Sequence, residues 1–222
     1  MQRLSGKVCV INGAAGAIGE AVADRLSRED AIVVGVDRIE HTIGTFQVTA
    51  DLSLEDEVAD MYRQVRDEFG RIDVIHNNAG LVLNHEDVSA LDTSLEVVQR
   101  VFQANFVTTL LCCKHGIPYL LENTPSGGSV INTGSFLAGM GSASGQMAYN
   151  AAKAAVVQLS KDLGTNLARQ GVRVNALSLG PIQTPELTDL FETLGPEQTA
   201  RRFSRMPLGR FGTLEELSLI HI

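Results

Sequence analysis

The chain has 222 residues, of which 44% are hydrophobic and 20% charged, and its formal net charge is −8 at neutral pH. This length fits one domain with a large core, and no run approaches the ~20 apolar residues of a membrane span. The acidic balance argues against nucleic acid as a partner, because nucleic-acid binding favours a basic face. The N-terminus lacks the basic-then-apolar layout of a secretory signal, so a cytoplasmic location is expected.

An apolar run, a glycine-rich turn and a helical pattern open the chain. Lys7–Asn12 predicts a strand, and residues 16–28 have the periodicity of an amphipathic helix. Gly13, Gly16 and Gly19 lie where the strand gives way to the start of the helical pattern, although not in the common G-x-G-x-x-G spacing. Strand, glycine turn and helix together indicate a dinucleotide site, with the phosphates at the helix N-terminus. The alternative is an ordinary turn in which glycine supplies a positive φ.

The next apolar run, Ala31–Asp37, ends in an acidic residue 18 positions after Gly19. A carboxylate at this strand end can accept hydrogen bonds from the adenosine ribose and repels a 2′-phosphate, which favours NAD over NADP. Arg38 counts in the other direction, since a guanidinium can pair with that phosphate. A strand-end turn former is the alternative role for Asp37.

Alternating strand and helix patterns continue along the chain. Further strands are predicted at Thr45–Asp51, Ile72–His76, Gly128–Gly134 and Val172–Ser178, and further helices at residues 54–69, 94–121 and 148–169. Such alternation predicts an α/β fold with one doubly wound parallel sheet and right-handed crossovers.

Tyr149 and Lys153 lie one helical turn apart and should face the same way. A cation in that position favours the tyrosinate and should lower the pKa of the phenol, which could then exchange a proton with an alcohol or carbonyl oxygen. Ser135 follows the predicted strand Gly128–Gly134, so its hydroxyl should emerge at the strand end where ligands bind in open α/β sheets. A tyrosine and a lysine four residues apart are weak evidence for a catalytic pair on their own, because many solvated helices carry this spacing by chance.

Taken together, residues from about Leu4 to about Glu216 resemble the short-chain dehydrogenase/reductase family. The resemblance implies a Rossmann-like sheet of strand order 3-2-1-4-5-6, and hydride transfer between a nicotinamide cofactor and a secondary alcohol or ketone. It implies catalytic roles for Asn105, Ser135, Tyr149 and Lys153, with Asn105 holding a proton-relay water. It also implies cofactor contacts from Gly13, Ala15, Gly16, Ala17, Ile18, Gly19, Asp37, Arg38, Asp51, Leu52, Asn78, Ala79, Gly80, Tyr149, Lys153, Pro181, Ile182 and Thr184.

Two positions depart from the family pattern. Asn12 stands where the family usually has threonine, although asparagine can also bond to nearby backbone. Ser135 lies 14 residues before Tyr149, one more than the commonest spacing, and Ser142 and Ser144 are the alternatives. Ser135 is preferred because it directly follows a strand.

The C-terminal end also departs from the family. We expect one domain over residues 1–216 and an atypical tail over residues 217–222, so that the family's seventh strand is missing. Residues 185–207 resemble the family's mobile substrate lid. The resemblance implies a homo-oligomer, and the altered C-terminal end counts against it.

The remaining expectations concern metals and substrate. The five histidines are scattered and the three cysteines show no Cys-x-x-Cys, so no metal site is predicted. The partner is expected to be a small alcohol or carbonyl compound, with no membrane involved. A 3-oxoacyl-thioester reductase using NADPH, and a catalytically weak nucleotide-binding protein, are the alternative functions.

Overall fold

Six parallel strands form one sheet in the computed structural model, which describes residues 2–141 and 145–218. Their spatial order is β3-β2-β1-β4-β5-β6, which confirms the predicted Rossmann-like fold. The strands are β1 Val8–Asn12, β2 Ile32–Asp37, β3 Phe46–Thr49, β4 Val74–Asn77, β5 Gly128–Thr133 and β6 Val172–Leu177. No seventh strand occurs within the described residues.

Helices cover both faces of the sheet. They are α1 Ala17–Arg28, α2 Glu55–Phe69, α3 Leu95–Phe102, α4 Thr108–Leu121, α5 Met147–Leu167, α6 Pro185–Phe203 and α7 Leu214–Ser218. Alternate residues of the strands point to opposite faces. Cys9 and Ile11 of β1 therefore pack with α1, while Val8 and Val10 pack with α2 and α4. Burial on both faces explains why the central strands are almost continuously apolar.

The structure refines the predicted helix at residues 94–121. A π-helical turn, Gln103–Val107, separates α3 from α4 without ending the helical stretch. Within this segment, the Asn105 side chain donates to the carbonyl of Val101, and the Thr108 and Thr109 hydroxyls donate to other main-chain carbonyls. Apolar periodicity does not reveal such a turn, and π turns often occur at functional sites.

The C-terminal third contains α6 and α7. The helix α6 occupies the segment that resembles a substrate lid, and it kinks at Gly195, where φ is 75°, directly before Pro196. The short α7 buries Leu217, so the first two residues of the expected tail are helical. Residues 219–222 lie outside the described residues. None of the helices in the part of the chain that the structure describes is long and apolar enough to cross a membrane.

Gly116 lets α4 approach the sheet and α2 closely. A Cβ at this position would lie 2.5 Å from Cδ1 of Ile75 and 2.7 Å from Cζ of Tyr62, both fully buried. The close approach therefore depends on the absence of a side chain.

We expect Gly116→Ala to lower stability. Overpacking costs about 1–3 kcal/mol and should outweigh the ~1 kcal/mol that alanine gains over glycine in a helix. Urea unfolding followed by circular dichroism measures the change in midpoint. The comparison variant is Gly164→Ala in α5, where the nearest contact would be 3.1 Å, and it should lose less. A Gly116→Ala midpoint at or above that of the parent would contradict this account of the packing.

Candidate active site

The glycine turn between β1 and α1 is closely packed on one side and open on the other. Gly13 has a φ of +83°, and a Cβ there would lie 2.6 Å from the main-chain nitrogen of Ala79. A Cβ at Gly19 would lie 2.2 Å from the carbonyl oxygen of Gly13. Gly16 is the N-cap of α1 and supplies no side-chain hydrogen bond, and a Cβ there would meet nothing closer than 3.8 Å. The turn therefore leaves room beside an uncapped helix N-terminus, which is the setting that favours bound phosphate.

Asp37, at the end of β2, bonds to this turn. Its Oδ2 accepts a hydrogen bond from the main-chain nitrogen of Ala15 at 3.0 Å, and its Oδ1 accepts one from that of Arg38 at 2.8 Å. Each carboxylate oxygen keeps a further lone pair. The predicted ribose acceptor and the predicted phosphate loop are thus in direct contact.

Asp51 lies beyond the end of β3, close enough to Arg38 for their charges to interact. Hydrogen bonds from Ser53 lower the pKa of Asp51, and the positive charge of Arg38 adds to this lowering. Leu52, predicted with Asp51 to contact adenine, is buried and packs with the core around Val36 and Val48. The guanidinium of Arg38, which could bind a 2′-phosphate, therefore lies within the electrostatic field of the Asp51 carboxylate.

A row of buried asparagines crosses the three central strands. Asn12, Asn77 and Asn132 are register partners on β1, β4 and β5. Asn12 Nδ2 donates to Asn77 Oδ1 at 2.7 Å, and Asn77 Nδ2 donates to Asn132 Oδ1 at 2.8 Å. Tyr62 at one end and Ser160 at the other extend the row to α2 and α5. Asn12, the departure from the family pattern, thus makes side-chain bonds rather than a local backbone bond.

The residues that follow this row form a second set of contacts. Asn78 Nδ2 donates to the carbonyl of Gly13 at 3.4 Å, and the Thr133 hydroxyl donates to Asn78 Oδ1 at 3.2 Å. Lys153 Nζ in turn donates to the carbonyl of Thr133 at 2.8 Å. A chain of hydrogen bonds along the sheet edge therefore connects the predicted cofactor loop, the end of β4 and the predicted catalytic lysine.

Asn105 lies in the π turn and holds the segment after β4. Its Nδ2 donates to the carbonyls of Leu81 and Val101, and its Oδ1 accepts from the nitrogen of Leu81. A Cβ at Gly80 would lie 2.8 Å from Asn105 Oδ1 and 3.5 Å from Lys153 Nζ. Gly80 therefore leaves the space between Asn105 and Lys153 open.

Ser135, Tyr149 and Lys153 meet where β5 ends and α5 begins. The Ser135 hydroxyl is buried and hydrogen-bonds the Tyr149 side chain. Ser135 also accepts a bond from the nitrogen of Leu137, which fixes its orientation. Lys153 Nζ lies 5.7 Å from the centre of the Tyr149 ring. Ser142 and Ser144, the alternatives to Ser135, lie outside the described residues.

Burial determines the protonation of this group more than charge attraction does. Desolvation raises the pKa of Tyr149 to about 12, although the Ser135 hydrogen bond acts to lower it. Desolvation also lowers the pKa of Lys153 to about 8. The expectation that the lysine brings the pKa of Tyr149 down toward neutrality is thus not met. Burial removes the water that would hydrate the charged form of each side chain, so it favours the neutral form of both.

The predicted turn at residues 180–184 lies beyond the end of β6. Its main chain pairs with that of Gly212, through Gly212 N to the Pro181 carbonyl and Gln183 N to the Gly212 carbonyl. Thr184 caps α6 by accepting a hydrogen bond from the nitrogen of Leu187. Pro181, Ile182 and Thr184 are therefore held by the C-terminal segment.

Asp87, Asn132 and Ser160 contribute to the site but were not predicted from sequence. Asp87 accepts hydrogen bonds from the first turn of α5, and the other two belong to the asparagine row. Asn132 follows apolar residues of a predicted strand, and this position is the one local feature of the sequence that indicates a buried amide.

Comparisons with known proteins agree with this geometry. A family model described as Enoyl-(Acyl carrier protein) reductase matches residues 13–220. A meso-2,3-butanediol dehydrogenase of Serratia marcescens is 34% identical, over 98% of this chain and 86% of its own length. A 3-oxoacyl-(acyl-carrier-protein) reductase of Thermotoga maritima is 30% identical, over 98% of this chain and 89% of its own. The crystal structure of levodione reductase superposes with a TM-score of 0.88 at 26% identity, over 98% of this chain and 90% of that one.

The fold, the site and these relatives define an NAD(P)-dependent oxidoreductase that acts on alcohol and carbonyl groups. Within that class, the chain belongs to the short-chain dehydrogenase/reductase family.

We expect Asn132→Ala to destabilise the protein by about 1–3 kcal/mol, because Asn77 Nδ2 loses one acceptor and the Ser160 hydroxyl loses the donor that bonds to it. Chemical unfolding of Asn132→Ala, Ser160→Ala and the double variant forms a cycle. The two changes should be coupled by about 0.5 kcal/mol or more. Additive losses would show that the Asn132–Ser160 hydrogen bond contributes nothing to stability.

Proposed function

We propose that this protein interconverts a secondary alcohol and a ketone, with NAD preferred over NADP and Tyr149 as the general acid and base. The single observation that carries the proposal is the meeting of Ser135, Tyr149 and Lys153 at the end of β5, beside the glycine turn. The substrate is a small molecule, and its identity depends on the loops around residues 83–92, 137–147 and 185–207.

The residues around the glycine turn fit a dinucleotide. The open side of Gly16 and the uncapped start of α1 suit the phosphates, while Asp37 suits the ribose hydroxyls. A bound nicotinamide would supply or accept the hydride. Side chains at Gly13 or Gly19 would collide with main-chain atoms, so their role is to let the turn, the strand end and the helix pack closely.

Tyr149 carries its proton at neutral pH, because its pKa is raised to about 12. A neutral phenol is suited to give a proton to a carbonyl oxygen, and the Ser135 hydroxyl can hydrogen-bond the same oxygen. Alcohol oxidation needs the opposite protonation state. A positive charge on Lys153, which the side chain carries below its pKa of about 8, would favour a tyrosinate at Tyr149 electrostatically.

Lys153 also connects the site to the sheet. Its ammonium is buried and bonds to the Thr133 carbonyl, which fixes it near the glycine turn. We propose that it orients the cofactor ribose from this position. Asn105, bonded to the main chain of Leu81, would keep the space at Gly80 open for a water that connects Lys153 to solvent.

A 3-oxoacyl-thioester reductase using NADPH is the second candidate function. Arg38, adjacent to Asp37, favours it, as does the similarity to the Thermotoga maritima enzyme. A panel of ketones, secondary alcohols and 3-oxoacyl thioesters, each assayed with both cofactors, separates the candidates. A third possibility, a nucleotide-binding protein with little turnover, predicts cofactor binding with no reaction across that panel.

Tyr149→Phe keeps the aromatic ring and removes the exchangeable proton. We expect turnover to fall by about 10²-fold or more, while nicotinamide cofactor affinity is retained. Steady-state kinetics and cofactor titration by fluorescence measure the two quantities. Tyr119→Phe, a partly buried tyrosine on α4, is the matched control and should behave as the parent. Turnover of Tyr149→Phe within a few-fold of the parent would refute the assignment.

Asp37→Ser removes the carboxylate that would repel a 2′-phosphate. We expect the ratio of kcat/KM for NADP to that for NAD to rise, because serine keeps a ribose hydrogen bond but no charge. Asp24→Ser, on the exposed face of α1, changes the net charge equally and should leave the ratio unchanged. A parent enzyme that already prefers NADPH would show that Arg38 outweighs Asp37.

A further inference from the structure

The amino end of α5 is capped by a carboxylate from a distant part of the chain. Gln146, which precedes the helix, has a φ of 67° and makes no side-chain cap. Instead, Asp87 Oδ1 accepts a hydrogen bond from the nitrogen of Ala148 at 2.9 Å, and Asp87 Oδ2 accepts one from the nitrogen of Tyr149 at 2.8 Å. The helix that carries the proposed acid and base therefore begins on Asp87.

Asp87 is only 1% exposed, so its hydrogen bonds must offset the loss of hydration. A carboxylate at a helix N-terminus is stabilised by the unpaired N–H groups and by the positive end of the helix dipole. Because its two oxygens bind consecutive nitrogens, Asp87 fixes the main chain of Tyr149 in direction as well as in distance.

Neighbouring contacts tie the same loop to the start of α5. Gln146 Nε2 donates to Asn84 Oδ1 at 2.6 Å, and the nitrogen of Gln146 donates to the Asp87 carbonyl at 2.9 Å. A Cβ at Gly145 would lie 3.1 Å from the carbonyl oxygen of Val88, so the two segments are in close contact. Residues 84–88 and 145–149 thus form one joint, which we call the loop–helix joint.

The rest of α5 is held by other groups. Lys153 bonds to Thr133, and Ser160 bonds to Asn132, both on β5. Loss of Asp87 should therefore loosen the turn that contains Tyr149 and leave the turn that contains Lys153 in place. A general loss of stability would instead loosen the turn that contains Tyr149 and the turn that contains Lys153 alike.

We propose that Asp87 is a positioning residue, which sets Tyr149 against the loop at residues 83–92 and carries the placement of that loop to the phenol. The inference rests on the proposed function, in which Tyr149 exchanges the proton and this loop forms part of the substrate pocket. It extends that function by making the substrate loop a determinant of proton transfer as well as of binding.

The test compares Asp87→Ala and Asp87→Asn with the parent. In Asp87→Ala, kcat should fall by about 10- to 100-fold, because a small misplacement of a reacting group is costly. The Kd for NADH should stay within about threefold of the parent value, because Lys153, which we propose contacts the cofactor, keeps its position. Asn keeps one acceptor oxygen, so Asp87→Asn should recover part of the lost kcat. Amide exchange at Ala148 and Tyr149 should be faster in both variants.

Asp73→Asn is the matched control. Asp73 is also buried and also accepts a main-chain hydrogen bond, from Val8, but it lies just before β4 at the opposite end of the sheet. This variant should melt at a lower temperature, while kcat well below its Tm and amide exchange at the start of α5 match the parent.

Parent-like kcat in Asp87→Ala would overturn the inference, as would unchanged amide exchange at Ala148 and Tyr149. A loss of kcat in Asp73→Asn equal to that in Asp87→Asn would also overturn the inference, since general destabilisation would then explain the lower kcat. A parent enzyme without turnover on the substrate panel would instead refute the proposed function. Amide exchange in the Asp87 variants would still decide whether this carboxylate holds the Tyr149 main chain.

Discussion

Hydrogen bonds among Asn12, Asn77 and Asn132 fix the register of the three central strands, and the site is built on the residues that follow. Each strand contributes its next residue to the carboxyl edge of the sheet: Gly13, Asn78 and Thr133. Those residues bond to one another and to Lys153. Buried amides are costly when their hydrogen bonds are broken, so a slip of one strand would disrupt the row and the site together.

Burial gives the site its chemical character. Burial removes water from the side chains of Lys153 and Tyr149, and the pKa of each shifts in the direction that favours its neutral form. The protein therefore holds a protonated phenol at neutral pH, which suits carbonyl reduction. The hydrogen bond from the Ser135 hydroxyl lowers the pKa of Tyr149 and so acts toward the tyrosinate, which suits oxidation. Asp87 accepts a hydrogen bond from the main-chain nitrogen of Tyr149, the residue at which this balance is set.

Much of the fold could be predicted because its signals are local. Apolar runs gave the six strands within a few residues, and the glycine turn, Asp37, Ser135, Tyr149 and Lys153 follow strand ends or share a helix face. Asp87 could not be predicted, since its partner lies 62 residues away and a loop aspartate has no periodicity. Periodicity did not reveal the π turn at Asn105. The raised pKa of Tyr149 depends on burial, which the Tyr149–Lys153 spacing does not report.

The central claim is that this site transfers a hydride between a nicotinamide and a carbonyl carbon with Tyr149 supplying the proton. The most direct measurement uses NADH deuterated on the transferred face of C4, with mass spectrometry and NMR of the alcohol formed from an accepted ketone. We expect one deuterium on the carbinol carbon of the alcohol that the parent forms, at a rate that Tyr149→Phe reduces strongly. An alcohol without deuterium at that carbon, or equal rates in the parent and Tyr149→Phe, would contradict it.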